Sequence, residues 1–315
     1  MSVRPLDWRD LTALHHYRDQ SVFLDSALVL TRGPMLVPGA LLSFLAPGMG
    51  IFTAVSQGEN RHDPNLVGQI IHVLGSSFAH LTFVTPGDAL DSPALLPLIE
   101  YLIAAAGQRG AFRLLADVDE RMSIFEVLRR SSFAIYSRQR IWQLTQRIPD
   151  RPPVERSQRR WRSAFRRDAL AIQTLYNNLA PGLVQQIEPF VADQRPRGMV
   201  YRQGDDLLAY VELRYGGRGV WVQPYVHPDV QDASELFADL LHGLTERGSR
   251  PVYICVRSYQ SWLEPFFEEL GAEAGPRQAV MVKHLTSLQK AARSYVMPAL
   301  ESGQTEVTAS LVPGE

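Results

Sequence analysis

Apolar positions along the chain alternate between two periods. Between residues 94 and 107, Leu95, Leu98, Ile99 and Leu102 recur at three- and four-residue spacing, which predicts a helix with one buried face. Period-two or continuous apolar runs predict strands at 3–6, 50–56, 66–74, 80–84 and 112–116. Helices are expected at 8–19, with Asp7 as a cap, and at 123–130. Residues 134–146 read as two strands or one bent strand. The same order then returns. A strand at 162–165 precedes a helix at 167–179, with Ile172, Leu175, Tyr176 and Leu179 inward. Strands follow at 198–203, 207–215 and 219–226. Next come a long helix at 233–247, a strand at 252–256, a helix at 260–270 and closing strands at 273–284. Leu240, Leu244, Phe266 and Leu270 are expected in the core.

Short sequences support a duplication. Arg9-Asp10-Leu11 with Leu14 matches Arg167-Asp168-Ala169 with Ile172. Ser137-Arg138-Gln139 before Ile141–Leu144 matches Pro276-Arg277-Gln278 before Ala279–Val282. Their common order predicts two related halves. Between them, RIPDRPPVERSQRR at 147–160 has three prolines in close succession and almost no apolar side chains, the composition of an extended linker. The expected division is 1–146, a linker at 147–160, 161–286, and a tail at 287–315 that is disordered at its Gly/Ser/Thr-rich end.

Composition narrows the classes. A formal net charge of -1 argues against a general nucleic-acid binder. A single cysteine, Cys255, excludes an intrachain disulfide and any multi-cysteine metal site; in its apolar strand it reads as an inert buried thiol. His15 and Asp19, four apart on the first helix, lack the further ligands a metal needs, and no metal is expected. No apolar run reaches the ~18–20 residues of a membrane span. MSVRPLDWRD has no signal-type apolar stretch, so a soluble cytoplasmic protein without membrane partners is expected.

The element order, with "AHLTFVTP", "GVWVQPYVHP", "RRSSFAIYSRQRIWQL" and "FFEELGAEAGPRQAVMVKHL", resembles the GNAT acetyltransferase superfamily twice over. The resemblance implies an α/β (mixed α+β) fold of two tandem GNAT-like domains, each a mixed, mostly antiparallel sheet flanked by helices. It implies acetyl-CoA as co-substrate, lying between splayed fourth and fifth strands, and a small-molecule or peptide amine as acceptor. It places the pyrophosphate on amides at a helix N-terminus, where a glycine-rich turn is usual. Both turns depart from that pattern. Leu90 and Ser92 occupy the glycine positions of the first half, with Asp88 and Asp91 beside them and Pro93 lacking an amide donor. The second half has Gln231 and Ala233 there, with Asp229 and Asp232 beside them. The family's usual proton-donating tyrosine aligns with Leu128 and Phe267, which cannot donate.

The second half is therefore the expected donor site, between the strand ending at Val226 and the strand 252–256, with Tyr225, Val226, Val230, Gln231, Asp232 and Ala233 as cofactor-binding residues. Replacing Ala233 with Glu is expected to abolish binding and spare the fold. Glu212 and His227 are the candidate bases, with Glu212 facing either a cleft or solvent; His72 and His80 read as structural. The rival reading is a catalytically degenerate GNAT-like binding or interaction scaffold.

Overall fold

The apolar runs fold as strands because their branched and aromatic side chains pack on a pleated surface, and the amphipathic stretches cover that surface as helices. The computed structural model describes residues 2–45, 47–57, 64–145, 160–190, 196–244 and 247–285. The linker expectation, save Arg160, and the tail expectation lie outside them.

The first half contains strand β1 (Val3–Pro5), helix α1 (Leu11–His16), strand β2 (Val22–Phe23) and helices α2 (Ser26–Arg32) and α3 (Leu36–Leu45). Strands β3 (Ile51–Ser56), β4 (Leu66–Ile71) and β5 (Phe78–Thr85) follow, then α4 (Leu95–Gln108), β6 (Arg113–Asp119), α5 (Ser123–Arg130) and β7 (Ala134–Leu144). The second half contains β8 (Trp161–Ser163), α6 (Ala169–Leu179), α7 (Gly182–Ile187), β9 (Gly198–Gln203), β10 (Asp206–Tyr215) and β11 (Val220–Val226). It ends with α8 (Ala233–Gly243), β12 (Val252–Arg257), α9 (Glu264–Glu269) and β13 (Glu273–His284).

All the strands join one sheet, in the order β1-β3-β4-β5-β6-β13-β7-β12-β11-β10-β9-β8, with β2 paired to β5. Among the described residues only β5–β6 and β11–β12 are parallel; the sheet is otherwise antiparallel. The order is palindromic about its centre. There the closing strands are exchanged: β13 of the second half pairs with β6 of the first, and β7 of the first pairs with β12 of the second. The two long strands also pair with each other, with Gln278 opposite Gln139, and the Gln139 amide donates to Gln278 Oε1 at 3.0 Å. The two matched sequence triplets thus meet at the centre of the sheet.

The duplication is visible in side chains as well. Arg4 holds both oxygens of Asp10, and Arg162 holds both oxygens of Asp168, each across six residues. Helices α4 and α5 cover one core of the first half, while α8 and α9 cover the matching core of the second. Across the sheet, α2 packs Ala27 and Leu30 near Ile141, Trp221 and Cys255, crossing onto the other half. Helices α6 and α7 cover Leu115, Tyr136, Val280 and Val282 as well as their own strands.

Three local expectations need correction. The helix expected at 8–19 is α1 between two single 3-10 turns, consistent with the weak helix propensity of the His15-His16-Tyr17 run. The helix expected to reach Arg247 ends at Gly243, a residue that favours termination. Phe266 and Leu270 are only half-buried. Gln260 departs from helical geometry within the 3-10 segment Ser258–Leu263, which shifts the phase so that Leu263 and Phe267 fill the core instead. Leu240 and Leu244 are buried as expected.

Candidate functional site

Each half carries one parallel strand pair, and each pair is short. Strands β11 and β12 are in register at Val220/Val252, Trp221/Tyr253 and Val222/Ile254, then part. Strands β5 and β6 part after His80/Leu115. Each divergence leaves an opening between the two strands in the plane of the sheet.

The two openings differ in occupancy. In the first half the chain fills its own opening: β2 pairs Val22 and Phe23 with Val84 and Phe83 of β5. Leu24 then bridges both walls, its N–H donating to the Thr82 carbonyl and its own carbonyl accepting from Asp117 N–H, each at 2.8 Å. Asp117 also accepts from Ser26 N–H at 3.2 Å, and burial raises its pKa. No strand enters the second opening among the described residues. There the Gln260 amide donates across it to the Val226 carbonyl at 2.9 Å, and its Oε1, also buried, has no partner. Pro224 supplies no N–H to this edge.

Beyond Val226 the chain turns through His227 and Pro228 to Asp232, which adopts a left-handed conformation (φ 56°) and caps α8 with no side-chain hydrogen bond. The first amides of α8 therefore have no intrahelical or N-cap side-chain acceptor. Gln231 and Asp232 are exposed, while Val230 and Ala233 are buried. Ala233 is 2% exposed and belongs to the core of the second half, so the expectation that a glutamate there would spare the fold is withdrawn. In the first half, the residues after Thr85 form a 3-10 turn at Gly87–Ala89, ahead of α4.

The candidate bases are not together. Glu212 lies opposite Gln223 in the β10–β11 register; its side chain is 27% exposed and accepts from Arg214 Nε at 2.8 Å. It therefore shares a face with Gln223 and Tyr225, the face covered by α6 and α7. His227 directly follows β11, with Nδ1 3.4 Å from Asp229. His72 contacts the Ser76 carbonyl through Nε2 and His80 lies 3.8 Å from Asp25. Burial pushes the Cys255 thiol up to about 12, leaving it uncharged at neutral pH. Leu128 and Phe267, at the positions where a proton donor was sought, are fully buried in apolar cores.

A buried polar cluster beside the second opening was not expected. Arg257, the last residue of β12, is 8% exposed. Its Nη2 donates to both oxygens of Glu188, at 3.1 and 3.0 Å, and its Nε and Nη1 have no partner among the described residues. Tyr136 donates to Glu188 Oε1 at 2.8 Å, and Tyr176 donates to the Glu188 carbonyl at 2.6 Å. Burial opposes the charge on Arg257, but Glu188, Tyr136, Cys255 and Tyr259 together outweigh it and raise its pKa above the ordinary value. Sequence separation hid this cluster: Glu188 follows a short helix, 69 residues before its partner.

His15 and Asp19 line a separate cavity of about 380 Å³ with Pro34, Leu36, Val37, Pro38 and Arg218. Among the described residues no three His, Cys, Asp or Glu side chains gather as metal ligands. Nor is any single helix long and apolar enough to cross a membrane.

No protein-family model matches the chain, and no curated protein matches it in sequence. Solved structures do. A GCN5-related N-acetyltransferase from Sphaerobacter thermophilus superposes with TM-score 0.53 at 11% identity, over 90% of this chain and 95% of that one. A tandem GNAT protein from the clavulanic acid biosynthesis pathway gives 0.50 at 15% identity, over 90% and 98%. A Drosophila protein solved by a structural genomics consortium gives 0.51 at 14%, over 90% and 98%. By fold, this chain is two GNAT-like halves joined through one continuous sheet.

Proposed function

We propose that the chain transfers an acetyl group from acetyl-CoA to an amine, with the donor held by the second half alone. The observation that carries this reading is the difference between the openings: the first is closed by the chain's own backbone at 22–24, and the second is not. The residues around the second opening suit the donor. The open Gln260 Oε1 can accept from an amide N–H of the pantetheine arm, and the uncapped amides of α8 offer donors to its pyrophosphate. Asp229 and Asp232 oppose that anion and weaken the site without closing it.

The reaction is attack of a neutral amine on the thioester carbonyl. A C–N bond forms, the C–S bond breaks, and the amine proton passes to a base. Glu212 is the better placed base because it lies on the helix-covered face beside the opening. His227 lies in the loop that leads to α8. With Phe267 unable to donate, the thiolate takes its proton from solvent. The absence of a donor at Phe267 and the acidic loop favour the rival reading, a non-catalytic scaffold that binds no CoA.

Calorimetric titration with CoA separates the two. We expect one site per chain. Ser234→Glu should weaken binding at least tenfold, although an acid in the first helical turn favours the helix itself. Two sites per chain would overturn the closure of the first opening, and no binding at millimolar CoA would establish the scaffold.

A further inference from the structure

Arg257 is buried and charged, and among the described residues only one of its three guanidinium nitrogens finds a hydrogen-bond partner. A buried guanidinium whose donors lack acceptors is costly, so such donors ask for a ligand. We propose that Arg257 binds a carboxylate of the acceptor, so that the amine acetylated by this chain belongs to an amino-acid-like zwitterion. The proposal rests on the reading that the second opening holds the donor.

The placement decides between donor and acceptor. The donor arm would lie in the plane of the sheet, between β11 and β12. Arg257 projects instead toward the helix-covered face, as do Tyr253 and Cys255 at alternate positions of β12 and Tyr225 on the neighbouring strand. An acceptor approaching the thioester from that face meets Arg257 on one side of the opening. On the other side it meets Glu212, on the same face and two strands away. Regular strand spacing and rise would put their Cα atoms on the order of 12 Å apart, a lower bound because β11 and β12 part here; two long side chains reach toward a small zwitterion across that distance, past Tyr225 of the intervening strand. Glu212 then takes the amine and Arg257 the carboxylate.

The guanidinium is already oriented. Glu188 grips Nη2 with both oxygens, and Tyr136 and Tyr176 fix Glu188. Nε and Nη1 are left for the ligand without further ordering of the side chain. Charge balance selects the class. Arg257 and Glu188 cancel, and Cys255 is neutral. A bare carboxylate would bring an uncompensated charge into this site, whereas a zwitterion brings none.

The test uses the full chain and the smallest acceptor of the class. CoA binding is measured first, and its absence would overturn the donor reading alone. Glycine, a zwitterion, and glycinamide, which keeps the amine but lacks the carboxylate, are then titrated by calorimetry, with CoA present where it binds. The wild-type protein should prefer the carboxylate at least tenfold. Paired Arg257→Met and Glu188→Gln substitutions remove both charges together, so neither is left buried alone; they should abolish the preference and keep CoA affinity. Should that variant fail to fold by circular dichroism, Arg257→Lys keeps the charge without the fork and should reduce the preference severalfold. Equal binding of the two probes, no binding of either, or a preference surviving in the folded variant would overturn the proposal.

Discussion

Asp168 is 2% exposed and accepts from Arg162 at 2.8 and 2.6 Å and from Phe165 N–H at 3.0 Å, with Arg202 a further 3.5 Å away. The Arg162 hydrogen bonds hold its carboxyl well below the usual carboxylate range. A depressed folded-state pKa means that the stabilisation is complete above about pH 4 and is lost as pH falls below it. Asp168→Asn keeps a side-chain oxygen for the Phe165 amide but cannot hold the arginine fork. Hydrogen bonds to charged groups are worth roughly 1.5–3 kcal/mol, so the variant should lose about 2–3 kcal/mol in urea denaturation at pH 7. It should also lose less stability than wild type between pH 4 and pH 2. A loss under ~1 kcal/mol at pH 7 would show that the pair does not stabilise this half. Its counterpart Asp10 has the same Arg4 fork and the same amide, from Asp7, but is more open to solvent, and the matching substitution there should cost less.

The turns before the exchanged strands show the same chemistry with different residues. Gly271 has φ 78° and Ser132 has φ 64°. In each turn the next residue donates back to the helix, Ala272 to Phe267 and Phe133 to Leu128. Glycine adopts this conformation freely, and serine there costs roughly 1 kcal/mol. Ser132→Gly should therefore raise stability by up to about 1 kcal/mol, measured by thermal or denaturant unfolding, and a destabilised variant would show that the serine side chain contributes more than its backbone costs. Helix α5 and strand β9 were legible to the residue, because each is short, strongly patterned and bounded by turn residues. The segment 20–49 was not. It is mostly apolar, contains Pro38 and Gly39 within α3, and has no period that separates β2, α2 and α3. That segment closes the first opening, so the difference between the halves rests on the stretch whose sequence pattern is weakest. The departures from the glycine-rich turn were readable locally, but the Arg257–Glu188 pair depends on tertiary contacts that no local pattern carries.

At the scale of the whole molecule, the halves are neighbours in sequence but interwoven in structure. The sequence match between 137–139 and 276–278 revealed the duplication; it could not reveal that these strands trade places, since strand pairing across more than a hundred residues leaves no local signature. The exchange has a mechanical consequence. Without β13, the first half would expose the edge of β6 and one edge of β7; without β7, the second half would expose the edge of β12 and one edge of β13. Exposed central strand edges are templates for association, so neither half should persist as a soluble monomer by itself. A protease site placed within residues 150–158 tests this directly. After cleavage the two fragments should still co-elute in size-exclusion chromatography as one species of the original size, and the nicked protein should unfold in a single transition, because each fragment's sheet is completed by the other. Their separation into two compact, soluble, independently melting fragments would show that the central exchange does not hold the halves together.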